Sequence, residues 1–92
     1  MHAAVVTVDI AQGQFESSRK ILTEQIVPRV RGSKGFVKGY WTTDAQHQRG
    51  TSVVVFDTEA NAREALNQAQ ANGFPPGVTL VSADVQEVTA EA

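Results

Sequence analysis

Residues 32–57, GSKGFVKGYWTTDAQHQRGTSVVVFD, constrain this chain more than any other stretch. Four of its residues are aromatic (Phe36, Tyr40, Trp41 and Phe56), and the run TSVVVF from Thr51 to Phe56 is β-branched almost throughout. Such residues suit a pleated strand, and an apolar run without alternation implies burial on both strand faces. FVKGYWTT, residues 36–43, has the same character, thinned by Gly39. The polar segment 44–48, Asp44-Ala45-Gln46-His47-Gln48, joins the two as a hairpin tip.

The flanks read as two strand–helix units. Residues 3–10, AAVVTVDI, alternate: Ala4, Val6, Val8 and Ile10 form an apolar face fit to meet helices, and Ala3, Val5, Thr7 and Asp9 form a mixed one. Residues 14–27 place Phe15, Leu22, Ile26 and Val30 at helical spacing, with Ile21 and Val27 widening the stripe. Pro28 must kink or stop that helix, and Gly32 is expected as its left-handed terminus. After Phe56, Asp57 or Thr58 caps a helix, EANAREALNQAQAN, that ends at Gly73. Its inner stripe is small (Ala62, Ala65, Leu66, Ala69), so it either approaches the sheet closely or roofs a cavity. Pro75-Pro76-Gly77 turns the chain into a last strand over Val78–Thr89, long enough to reach beyond its own domain.

The order strand–helix–strand–strand–helix–strand is the split βαβ, ferredoxin-like plan of one α+β domain over residues 1–92, with a four-stranded antiparallel sheet. Right-handed crossovers put both helices on one sheet face. The other face is left open although TSVVVF is apolar on both sides, so a homodimer that packs two such faces together is expected. A chain of 92 residues without cysteine has neither disulfides nor thiolate metal sites to supplement a small core, which also favours a partner subunit.

Charge excludes some classes. Residues 1–50 carry +3 and residues 51–92 carry −5, for a net −2. Arg29, Arg31, Lys34 and Lys38 cluster where the first helix runs into a strand, as cations at a helix C-terminus do, and the acidic balance opposes nucleic-acid binding. No apolar run is long enough to span a bilayer, and the N-terminus lacks the basic start of a signal peptide. A cytoplasmic protein without a membrane partner is expected.

A helix ending in QIVPRV, the strand opening GFVKGYW, a polar tip and the run VVVFDTEANAREAL resemble the dimeric α+β barrel superfamily, in particular its antibiotic biosynthesis monooxygenase-like domains. The resemblance spans nearly the whole chain. It implies a dimer and a pocket between helices and sheet, and allows a cofactor-free monooxygenase acting on a quinol or anthrone-like aromatic. Non-catalytic ligand binding, or a purely structural dimer, is the alternative. Haem-degrading relatives use an Asn in the first strand, a Trp ending the third and a His on the second helix. This chain has no Asn in its first strand, Phe56 at the third strand's end and no His on the second helix.

Candidate pocket residues for an aromatic or lipophilic ligand are Thr7, Tyr40, Trp41, Phe56 and Leu66. Tyr40 and Trp41 are adjacent in one strand, so only one of them faces any given cavity. Asp9 in an apolar pocket would be a general base, and His47 carries an imidazole, the side-chain type most often used for proton transfer; each also has a plain reading, as a strand-end carboxylate and a solvated loop imidazole. Asp84 is a similar case. His2 is expected to fray, and the two histidines share no metal-ligand spacing. No cofactor is expected.

Overall fold

The computed structural model describes all 92 residues. The chain runs β1 (His2–Ile10), α1 (Phe15–Ile21), a π-helical turn (Leu22–Ile26), α2 (Val27–Arg31), β2 (Phe36–Thr43), β3 (Arg49–Phe56), α3 (Glu59–Asn72) and β4 (Val78–Glu87). The strands form one antiparallel sheet in the order β2-β3-β1-β4, an α+β arrangement compatible with the ferredoxin-like plan. No helix is long and apolar enough to cross a membrane.

Register assigns the faces. Ala4, Val6 and Val8 pair with Val54, Ser52 and Gly50 on β3, and Gly39, Trp41 and Thr43 of β2 continue those rows. This is the helix side. On the other side Val5 pairs with Val53, Ala3 with Val55 and Tyr40 with Val53. The core is small and sits under α3, where Ala62 is 0% exposed and Leu66 packs with Ala4, Val54 and Phe56. Phe56 is the one large side chain fully buried, and Phe36 meets its ring edge-on at 6.3 Å.

Several expectations change at the element ends. His2 belongs to β1, opposite Phe56 and Glu87, and does not fray. β4 pairs with β1 from Val78 to Glu87, taking up its length through a bulge opposite Thr7/Val8, so it has no long overhang. Gly32 has φ −83° and is not left-handed; Gly35 is, at φ +78°. A Cβ on Gly35 would run into the Asp57 carboxylate, which accepts a hydrogen bond from Asn61 Nδ2 at 2.8 Å. With Asp57 N–H donating to the Gly35 carbonyl at 2.9 Å, this packing ties the start of β2 to the start of α3. Thr58 is the N-cap of α3, its hydroxyl accepting from Asn61 N–H at 3.1 Å.

Pro28 does not stop the first helix. It brings no N–H to the carbonyl four residues back, and the chain widens into a π turn just before it, with Val27 N–H donating to the Leu22 carbonyl. Helical backbone therefore continues to Arg31.

Candidate functional site

The two helical runs meet the sheet differently. The small side chains of α3 let it lie close against β1, β3 and β4. The first run (α1, the π turn and α2) carries larger residues, yet Phe15, Leu22, Ile26, Val27 and Val30 are only half-buried, and Ser18 is its one buried residue. Between this run and the sheet lies a cavity of about 580 Å³. Its floor is Val6, Val8 and Ile10 of β1, Ser52 and Val54 of β3, and Trp41 of β2. The first run covers it, Ala65, Leu66 and Ala69 of α3 flank it, and Phe74, Pro75 and Val78 also line it. Of the two expectations for the Ala-rich helix, close approach to the sheet is the one realised; the helix forms a side wall of the cavity, and the first run is the roof.

Trp41 owes its position to a glycine. A Cβ on Gly39 would lie 3.1 Å from the far edge of the Trp41 indole, so the ring folds back along β2 over a residue without a side chain. Gly50 plays a similar part at the hairpin end, where an added Cβ would stand 3.3 Å from Val8.

The sequence-derived candidates divide between the two faces. Trp41, Phe56 and Leu66 line the cavity. Tyr40 borders it along the strand, but its register opposite Val53 and its 59% exposure put the ring on the open face. Thr7 pairs with Thr51 and Ser82 on the open face and takes no part in the cavity. Asp9 lies there too, exposed, its Oδ1 accepting from Arg49 Nε and Nη2 at 3.0 Å. An exposed, ion-paired carboxylate outside the cavity is not a general base for anything bound inside it. Asp84 accepts a hydrogen bond from the Val85 N–H at 2.9 Å, again on the open face.

His47 also stays out of the cavity. It has φ +56° in the hairpin tip, and its ring stacks on Phe15, with centroids 3.8 Å apart. The stack joins the tip to the first turn of α1. Asp44 organises the same tip: the Gln48 N–H donates to it at 2.8 Å and the Arg49 N–H at 3.3 Å. These bonds, the first above all, and the neighbouring His47 hold its carboxyl below the ordinary 3.8. At the opposite end of the sheet, His2 Nε2 lies 3.8 Å from Glu59, and its buried Nδ1 has no hydrogen-bond partner.

The cavity wall is mainly aliphatic and aromatic. Its polar side chains are Ser18, Thr23, Thr43, Ser52, Arg19 and Arg29, besides Thr42 and Thr51, which the register turns to the other face. Ser18 is already committed, donating to the Phe15 carbonyl at 2.9 Å. Neither carboxylate nor imidazole lines the cavity. No group of three or more His, Asp and Glu side chains converges to hold a metal ion. Arg29 stands out in the sequence only as one of the cations at the helix end, and Arg19 not at all; the available signal for the pair was their helical spacing with Leu22, Ile26 and Val30. No family model matches the chain, and no curated protein matches it.

Proposed function

We propose that this chain binds a small, largely apolar molecule with aromatic surface in the cavity beneath the first helical run. The observation that carries the reading is the cavity itself. At about 580 Å³ it falls within the size range of small-molecule pockets, and mainly apolar side chains line it around the single indole, Trp41. The half-buried faces of Phe15, Leu22, Ile26 and Val30 support it, because side chains of this size gain most when something fills the space they border.

Titration with N-phenyl-1-naphthylamine, a neutral aromatic probe, tests this directly. Saturable enhancement of probe emission and quenching of Trp41 are expected at one site per chain. Ala69→Phe, which places a ring in the cavity from α3, is expected to abolish both. Unaltered binding by that variant, or no binding by the wild type, overturns the reading.

Association of two chains through the open sheet face is part of the same proposal, consistent with the resemblance to dimeric α+β barrels. Val5, Val53, Val55 and Tyr40 offer apolar surface there, amid Thr7, Thr42 and Thr51. Light scattering is expected to give twice the chain mass of 9.9 kDa; the monomer mass would remove the dimer.

A cofactor-free monooxygenase acting on a quinol or anthrone is the second reading. The observation favouring it is that the only charged residues on the cavity wall are the cations Arg19 and Arg29, which would stabilise a substrate oxyanion. With no wall carboxylate or imidazole, the substrate would have to reach the cavity ionised or lose its proton to solvent. Oxygen uptake with a panel of anthrones and hydroquinones tests it, and no uptake above buffer leaves the binding function alone.

A further inference from the structure

We propose that the natural ligand is an amphipathic organic acid, bound with its anionic head at Arg19 and its apolar body running toward Phe56. This deepens the cavity-binding reading and rests on it. In a chain of net charge −2, every ionised side chain on the cavity wall is a cation. The ion pairs of the molecule are His2–Glu59, Arg49–Asp9 and Arg63–Glu59, so Arg19 and Arg29 are both unengaged. Glu16 stands one turn before Arg19 and pairs with nothing.

The two arginines are ten residues apart, roughly 15 Å along the helical axis, so they mark opposite ends of the cavity. Arg19 is one turn beyond Phe15, whose ring stacks on His47 in the hairpin tip. It therefore belongs to the hairpin end, with Thr43, the last residue of β2, and Gly50. Thr23, one turn further along the roof, adds no donor for an anion, because its hydroxyl already donates to the carbonyls of Arg19 and Lys20; Thr43 is the hydroxyl left beside Arg19. The opposite end is apolar apart from Arg29: Val30, Phe56 and Leu66 line it. The hairpin end is apolar too, with Ile10, Phe15 and Val78, so a free cation with one hydroxyl, set in an otherwise aliphatic and aromatic wall, matches a molecule with a carboxylate head and a hydrocarbon or aryl body. Planar guanidinium and carboxylate groups pair through two parallel hydrogen bonds, which an alcohol cannot reproduce.

Dodecanoate and dodecan-1-ol separate the proposal from its alternatives, because they share a chain and differ in the head. Both are titrated below their aggregation limits, with Trp41 emission as the readout. A purely apolar cavity prefers the alcohol, which costs less to desolvate. The expected result is the reverse: dodecanoate binds roughly fivefold tighter at low salt, as one partly exposed ion pair supplies. The advantage is expected to shrink at high salt and to vanish in Arg19→Gln, while Arg29→Gln keeps most of it. Equal or tighter binding of the alcohol, or an acid preference that survives Arg19→Gln, overturns the anionic head and leaves the cavity-binding reading standing. Binding of neither molecule, with N-phenyl-1-naphthylamine also excluded, defeats the cavity-binding reading and this proposal together.

Discussion

Two helical runs cover one face of one sheet, and they do so in opposite ways. The second, α3, presents Ala62, Ala65 and Leu66 and comes close enough to bury Ala62 completely. The first presents Phe15, Leu22, Ile26 and Val30 and leaves them half-buried above an open volume. Small residues thus make the solid half of the molecule and large ones the hollow half, with Phe56 and Leu66 on the boundary, packed beneath α3 and lining the cavity. Packing closes where the spacer is a methyl group, while the larger side chains of a standing-off helix wait for contacts the protein alone does not provide. Stability should therefore concentrate under α3 and binding under the first run.

Truncation offers the harshest trial of that division. Phe56→Ala removes the one large, fully buried side chain beneath α3 and should cost about 3–5 kcal/mol in urea unfolding, enough to threaten a domain of this size. Gly35→Val comes next. A β-branched residue at φ +78° is strained, and its Cβ would displace the Asp57 carboxylate, so a loss of about 2–3 kcal/mol is expected. In the hollow half, Leu22→Ala should cost under about 1 kcal/mol, because its side chain borders space that is already empty. The same change should still weaken N-phenyl-1-naphthylamine measurably. If Leu22→Ala destabilised the fold as much as Phe56→Ala, the two halves would not differ as described.

The smallest effect concerns the hairpin tip. Asp44 titrates lower in the folded protein than in the unfolded chain, so the folded state gains stability from it above the ordinary carboxylate range. That contribution disappears as pH falls below about 4 and through the lowered value. Amide exchange at Gln48 and Arg49 should speed up there before the rest of the sheet responds, and Asp44→Asn should remove the dependence.

The order of elements was legible because each carries its own period: alternation in β1, helical spacing in both helices, and unbroken β-branched residues in β3. The small stripe of α3 even announced its close approach. The location of the cavity was not legible. It depends on how far the first run stands from the sheet, a tertiary distance that no residue spacing encodes. Alternation sets Thr7 on the mixed face of β1, and the register keeps it there, opposite Thr51 and away from the cavity. Asp9 found Arg49 forty residues away, and His47 found Phe15 across the hairpin tip, both through register and turn geometry rather than local sequence. The π turn before Pro28 shows a proline doing something other than ending a helix: the widened hydrogen-bond step absorbs the missing donor.

Methyl chemical shifts test the central claim most directly, since valines mark both sides of the sheet. On addition of N-phenyl-1-naphthylamine, the methyl groups of Leu22, Ile26, Val30, Val54 and Val6 should shift in a saturable way. Those of Val5, Val53 and Val55 on the open face should stay in place. Shifts confined to the open-face valines, or spread over both faces without saturation, would contradict a binding site beneath the first helical run.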